Sequence, residues 1–322
     1  MSDFPKKVKI NEEGPREGFQ IEKPPVPTDR KIRFINALSD TGLKHIQTVS
    51  FVNPKRVPGW ADAEDVVMGQ AYRPGVEYTP LWLNPKGFER ALQFREKLTL
   101  RGKVSLSASE AFVIRNQNKN LEENLKMQHE YMKQYKAAGV PVDCVGVNSA
   151  FGCNYQGDIP TSRVLEAIGQ CFEVTEAHGE SPPQIRLSDT MAWATPDRIK
   201  RTVGAVREKF PDKEIHLHLH DTRGMAIANA YAGLEMGVAS YDAAVAGLGG
   251  CPFAGHAGAA GNICTEDLVF LCHEMGIETG IDLDALIEAA HVAEEAVGHP
   301  LPGKVAKGGN LAAMRRKLGT VH

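Results

Sequence analysis

Eight short runs with β-strand character recur along this chain, and amphipathic stretches separate them. The runs are "KVKINEE" (7–13), "HIQTVSF" (45–51), "YTPLWL" (78–83), "KVSLSAS" (103–109), "VDCVGVN" (142–148), "QIRLSDT" (184–190), "EIHLHLH" (214–220) and "SYDAAVAGL" (240–248). Between them lie segments such as "NLEENLKMQHEYMKQYKAAG" and "TPDRIKRTVGAVREKFPD". The last of these shows the local logic. Thr195 is placed to cap a helix, Pro196 suits its first turn, and Ile199, Val203 and Val206 share one face. Pro211 and Asp212 mark its end. Eight β/α units at a spacing of roughly 25–40 residues predict a (β/α)8 TIM barrel, in the α/β class. A doubly wound sheet would carry a G-x-G-x-x-G loop after its first strand, and "GPREGF" is not one.

The barrel is expected over about residues 7–265. Beyond it, "TEDLVFLCHEMG" and "DLDALIEAAHVAEEAVG" read as helices with no following strand, a C-terminal helical extension over about residues 266–322. No linker divides the chain, so residues 1–322 are expected to form a single catalytic domain. The formal net charge of -3 gives no electrostatic reason for nucleic acid or a membrane surface as partner. No apolar run reaches the ~18 residues of a spanning helix. The first residues lack the apolar stretch of a signal peptide. Six cysteines with no CxxC pair do not make a disulfide framework, and a reducing cytoplasm is the expected location. The oligomeric state is open, and a homodimer is compatible with the sequence.

In such a barrel, function gathers where the strands end. The strand ends offer Arg16 and Glu17, Gln47, Asn148 and Ser149, Asp189 and Thr190, then His218, His220 and Asp221, and finally Cys251 and Asn262. In "IHLHLHD", His216, His218 and His220 alternate, so all three imidazoles point to one face of a strand. His218 and His220, nearest the open end, are candidate ligands for one cation; His216, a layer deeper, reads as a buried core imidazole. An N/O donor set without a thiolate cluster suits Mg²⁺ or Mn²⁺ better than structural zinc. In "GPREGFQ", Arg16 could stabilise a developing anion and Glu17 could ligate the metal; the plain alternative is a surface turn bearing an ion pair. The stretch 246–262 holds eleven Gly or Ala in seventeen residues. It suits a mobile lid, and Cys251 at its start could move a proton unless it is only a small residue in a tight turn.

Taken together these residues resemble the 3-hydroxy-3-methylglutaryl-CoA lyase family, barrel metalloenzymes that break or make a C–C bond beside a stabilised enolate. The similarity runs from about Lys7 to about Lys307. "VAGLGGCP" (245–252) looks like the lyase signature around its catalytic cysteine, and "GPREGFQIEK" (14–23) is similar to G-P-R-D-G-L-Q-x-E-K. "SFVNPKRVP" (50–58), "AFGCNYQG" (150–157), "SDTMAWATP" (188–196), "HLHDTRGMAIAN" (218–229) and "GNICTEDLV" (261–269) match further blocks.

The resemblance implies that Glu17, His218, His220 and Asn262 hold the metal. It implies that Arg16 supports the enolate, that Cys251 transfers a proton, and that His220 or Asp221 takes the hydroxyl proton. Lys23 and Asn116 would contact the acyl-CoA, while Gln47, Asn148, Asp189 and Thr190 would line the pocket. The implied activity is metal-dependent cleavage of a 3-hydroxy-3-carboxyalkyl-type acyl-CoA into an acyl-CoA and a keto acid. Four positions depart from the pattern. Glu17 stands where the lyases carry Asp, as in the related homocitrate synthases. Gln47 stands where I-E-T is usual, and a neutral amide cannot serve as a base. Cys144 and Gly146 replace the Arg and Tyr of R-G-Y-V-S, which opens space and points to a different or bulkier acyl group. A condensing synthase on the same site, a metal hydrolase and a silent acyl-CoA-binding barrel are the alternatives.

Overall fold

The computed structural model describes residues 4–249 and 261–320. The strands are β1 (Lys9–Glu12), β2 (His45–Ser50), β3 (Glu77–Leu81), β4 (Gly102–Ser107), β5 (Val142–Asn148), β6 (Gln184–Ser188), β7 (Glu214–His218) and β8 (Ser240–Ala243). The helices are α1 (Gly14–Ile21), α2 (Thr28–Ser39), α3 (Ala63–Gly69), α4 (Pro85–Leu92), α5 (Glu110–Gln117), α6 (Leu121–Ala138), α7 (Thr161–Glu176), α8 (Pro196–Lys209) and α9 (Ala226–Glu235). Then follow α10 (Thr265–Glu274), α11 (Leu283–Val297), the short α12 (Val305–Gly308) and α13 (Leu311–Leu318).

All pairings are parallel, in the order β3-β2-β1-β8-β7-β6-β5-β4, so β1 pairs with β8 and the sheet curls into a barrel. The ladder is open between β3 and β4, where Thr99 N donates to Tyr78 O at 2.8 Å. The protein is a (β/α)8 TIM barrel with added C-terminal helices. Its strands alternate in the way that sorts side chains between two faces. Ile46, Val104, Val145, Val147, Ile185, Leu187, Ile215 and Leu217 are buried in the apolar core. The intervening positions turn inward and are mostly polar: His45, Gln47, Ser105, Arg186, His216, His218 and Asp242. Barrel interiors are ordinarily filled by layers of branched aliphatic residues. Here the interior is a network of charges and hydrogen bonds.

The helix starts are encoded locally. Thr195 caps α8 by accepting from Arg198 N, and Ile199, Val203 and Val206 are buried, as the spacing predicts. Asn120 and Glu123 form a reciprocal capping box on α6. All strands but β5 are shorter than their sequence runs, and for β8 and β7 the cause is visible. β8 ends at Ala243, because Val245 N turns aside to the buried Glu12 carboxylate at 2.9 Å. β7 ends at His218, and His220 is held beyond it by an isolated bridge to Asn262. Among the described residues, no helix is long and apolar enough to cross a membrane.

Candidate active site

The strand ends on the C-terminal side bring three donor groups together. One ligand atom each from Glu17, His218 and His220 lies within 4.8 Å of the others. His218 Nε2 and His220 Nε2 are 3.1 Å apart, and Glu17 Oε1 is 4.0 Å from His218 Nε2. Glu17 sits in the first turn of α1, which begins directly after β1. Burial opposes its charge, but Arg16 and the two imidazoles hold its carboxyl well below the usual carboxylate range. Asn262 Nδ2 donates to Glu17 Oε2 at 2.5 Å and to Leu248 O at 3.0 Å, which leaves its Oδ1 as a remaining donor atom for a cation. Gly249, at φ +84, lets the backbone pass close by: a Cβ there would stand 2.7 Å from Glu17 Cβ and 2.9 Å from Asn262 Nδ2.

The second nitrogen of each imidazole is also engaged. His220 Nδ1 lies 2.9 Å from Thr190 O, so it carries the proton and leaves Nε2 as a lone pair. Burial, then the neighbouring His218, push the His220 pKa down to about 4, so the ring is neutral at pH 7. His218 Nδ1 lies 3.1 Å from Asp242 Oδ2 and 2.9 Å from Arg186 Nη2. Two tautomers fit. With the proton on Nδ1, aimed at Asp242, the two Nε2 lone pairs converge beside Glu17. With Nδ1 accepting from Arg186, Nε2–H donates to His220. The first arrangement, with Asn262 Oδ1, is an N/O donor set that suits a divalent cation.

Arg16 is fixed from several sides. Its Nη2 lies 2.7 Å from Glu13 Oε2 and 2.8 Å from Glu17 Oε1, its Nε donates to Gln47 Oε1, and its carbonyl accepts from Trp60 Nε1 at 2.9 Å. Nη1 has no partner among the described residues. Gln47 is therefore part of the cluster, as an acceptor for the guanidinium. Asp189 Oδ1 accepts from Trp193 N and Ala194 N, while its Oδ2 is buried without a partner, and burial raises its pKa to about 7. Thr190 Oγ1 accepts from Ser149 N, and Asn148 Nδ2 donates to Ser105 Oγ at 3.2 Å.

Other expected residues lie apart. Asp221 Oδ1 accepts from Ala226 N at the start of α9, and Asp221 Oδ2 is 3.6 Å from Lys304 Nζ. Lys23, after α1, and Asn116, on α5, are exposed and touch none of the clustered donors. Cys251 lies outside the described residues. His216 is buried, with Nδ1 2.7 Å from Ser240 Oγ and Nε2 2.7 Å from Asp242 Oδ1.

Reading the strand ends missed the layer beneath them. Arg186 Nη2 lies 3.1 Å from Glu13 Oε1 and pairs with Asp242, so Glu13, Arg186 and Asp242 form a buried base under His218. Burial opposes the Asp242 charge, but Arg186 and His216 hold its carboxyl well below the usual range. The available signal was parity: Arg186 alternates with Leu187 in "QIRLSDT", which puts a charge on the inner face of a barrel strand.

Eight β/α units with carboxylate and imidazole donors gathered at the strand C-termini define a (β/α)8 barrel of the kind that carries chemistry on that face. A family model described as HMGL-like matches residues 7–293, and the chain belongs to that family. It is 40% identical over 306 residues to the mitochondrial hydroxymethylglutaryl-CoA lyase of Gallus gallus, covering 94% of this chain and 98% of the relative. It is 38% identical over 301 residues to hydroxymethylglutaryl-CoA lyase YngG of Bacillus subtilis (strain 168), covering 94% and 97%. Two solved structures are similar. The HMG-CoA lyase of Bacillus subtilis superposes with a TM-score of 0.86 at 37% identity, covering 94% of this chain and 98% of that one. An Acinetobacter baumannii HMG-CoA lyase, solved with coenzyme A and 3-methylmalate, gives 0.83 at 37% identity, covering 96% and 97%.

Proposed function

We propose that this chain, as one catalytic unit, is a divalent-metal-dependent carbon–carbon lyase. Its substrate would be 3-hydroxy-3-methylglutaryl-CoA or a related thioester, split into an acyl-CoA and a keto acid. The convergence of Glu17, His218 and His220 beside Arg16 carries the reading, and the family's named lyases support it. Glu17, His218, His220 and Asn262 would hold the ion, with Mg²⁺ or Mn²⁺ proposed from the donor types. Such an ion supplies Lewis acidity to the substrate hydroxyl and a neighbouring oxygen.

The chain's own residues account for the rest. Of the two expected bases, Asp221 takes the proton of the tertiary hydroxyl, because His220 Nδ1 already carries a proton to Thr190 O and its Nε2 is the atom offered to the ion. The C–C bond next to the carbinol carbon then breaks, its electron pair passing to the thioester as an enolate while the hydroxyl oxygen becomes a ketone. Arg16, whose Nη1 has no partner among the described residues, would face the charge that develops. Cys251 returns a proton to the enolate carbon, which releases the acyl-CoA. Gln47 holds the Arg16 side chain by accepting from Nε, a positioning role that needs no charge. Asn148, Asp189 and Thr190 line the acyl end of the pocket in this reading, and Lys23 and Asn116 remain candidate contacts for coenzyme A.

The cytoplasm is the proposed location. Five free cysteines among the described residues support a reducing compartment, and cell fractionation separates cytoplasm from the mitochondrion named for the animal relatives. A homodimer is proposed as the assembly, to be read by light scattering.

The deciding experiment is a coupled assay on 3-hydroxyacyl-CoA thioesters with and without added Mg²⁺ or Mn²⁺. Metal-dependent release of a keto acid is expected. No cleavage of any 3-hydroxy-3-methylglutaryl-type thioester by the metal-loaded protein would end the proposal.

A further inference from the structure

Lys103 lies on the inner face of β4, and no acceptor or counter-ion reaches its ammonium among the described residues. Its neighbours explain why this is unusual. Glu13 is taken by Arg16 and Arg186, Asp242 by Arg186 and His216, and Glu17 by Arg16. At the bottom of the barrel, Glu77 and Asp143 are both taken by Arg101. Lys103 is left as an interior cation without a matching anion. A second donor is equally spare: Arg186 Nε is buried with no hydrogen-bond partner.

The strand register brings these two groups to one place. Lys103 is level with Cys144 on β5, Ser105 with Gly146, and Gly146 with Arg186 on β6. Thus the wall between Lys103 and Arg186 is made of two small residues, Cys144 and Gly146. A Cβ on Gly146 would stand 3.2 Å from Ser105 Oγ and 3.9 Å from Arg186 O, so a side chain there would lie directly between the two strands that carry Lys103 and Arg186. By register Lys103 stands one inner layer below Arg186, with β5 between them. Burial, with Arg186, brings its pKa down to about 8, so it is still largely charged at neutral pH. An unmatched ammonium in a partly dry interior is costly unless something anionic arrives.

We propose that the acyl portion of the substrate carries a second anionic group, a carboxylate beyond that of a 3-methylglutaryl chain, and that Lys103 with Arg186 receives it. Lys103 is then the residue that sets specificity. Gly146 and Cys144 are small because the added group occupies the space above them. The keto acid released would be a dicarboxylate. The inference rests on the lyase reading above and refines its substrate class.

Two measurements test it separately from that reading. In the first, acetoacetate and 3-oxoglutarate, product-like acids with one and two carboxylates, are titrated calorimetrically into the full chain in Mg²⁺ buffer. The diacid is expected to bind at least about tenfold tighter, and Lys103→Met is expected to remove that preference while Lys103→Arg keeps part of it. Equal affinities in the wild-type protein, or no binding of either acid, overturn the proposal without reference to any variant's folding. In the second, cleavage of 3-hydroxy-3-methylglutaryl-CoA is compared with that of its analogue bearing carboxymethyl in place of methyl. A higher kcat/KM for the analogue is expected. A preference for the methyl compound overturns the second carboxylate and leaves the lyase reading standing, whereas cleavage of neither removes the lyase reading.

Discussion

His218 Nε2 and His220 Nε2 face each other at 3.1 Å, and each ring is steadied from behind, by Asp242 and by Thr190 O. When both lone pairs point inward, two nitrogens this close repel unless a cation lies beside them. Glu17 stands at that point with its carboxyl held well below the usual range, against its own burial, by Arg16 and the imidazoles. Purified protein is therefore expected to bind about one Mn²⁺ per chain, measured by electron paramagnetic resonance or calorimetry. His218→Ala and His220→Ala should each weaken binding by at least about tenfold. Chelation should abolish turnover and lower Tm, because an ion bound only by the folded chain stabilises it by mass action. A chelated protein with undiminished turnover would contradict the metal role.

Gln47 and Glu13 both hold Arg16, from β2 and from the end of β1. Where the family resemblance implies a carboxylate at 47, this chain sets a neutral amide against Arg16 there and a carboxylate at 13. Gln47→Glu alone would place a third carboxylate against a guanidinium already paired with Glu13 and Glu17, and turnover should fall by roughly tenfold. Glu13→Gln alone should cost as much or more, since it also strips a counter-ion from Arg186. In the double variant the charge count is restored, and a coupling of about 1–3 kcal/mol should recover most of the loss. Strictly additive effects on kcat/KM would show that the two positions act independently.

Asp221 tests the assignment of the base. Its Oδ1 accepts from Ala226 N at the first turn of α9, a hydrogen bond whose loss costs about 1 kcal/mol. Asp221→Ala is expected to lower Tm by a few degrees and kcat by about 10²–10⁴, as expected for loss of the general base. A kcat lowered by less than about tenfold would take the base role away from Asp221.

For Cys251 the prediction concerns the fate of the enolate. Cys251→Ala should lower kcat by about 10²–10⁴ with Mn²⁺ affinity and Tm unchanged, as expected for a proton donor that ligates nothing. In deuterated solvent, a wild-type turnover that incorporates label into the acyl-CoA methyl group would match carbon protonation. Full activity in the variant would remove this step.

The barrel and much of its rim were legible in the sequence because both depend on short-range regularities. Alternation of period two marks β5 and β7, periodicity of 3.6 with Thr195 and Pro196 marks α8, and polar residues at strand ends mark the open face. Glu17, His218 and His220 could be named for the same reason, since each sits at a strand end in a local motif. Strand limits were less legible. His220 leaves β7 only because Asn262, forty-two positions later, bridges to it, and β8 stops where Val245 turns to Glu12. The layer below was decided by tertiary structure. Glu13, Arg186 and Asp242 come from β1, β6 and β8, and nothing local in any of them announces a shared site; barrel closure through the β1–β8 pairing and the common inward parity brings them together. Closure also changed what Gln47 means. As a residue in a string it is a lost carboxylate. In the folded chain it is the acceptor that fixes Arg16, beside the Glu13 carboxylate that pairs with the same guanidinium from the end of β1.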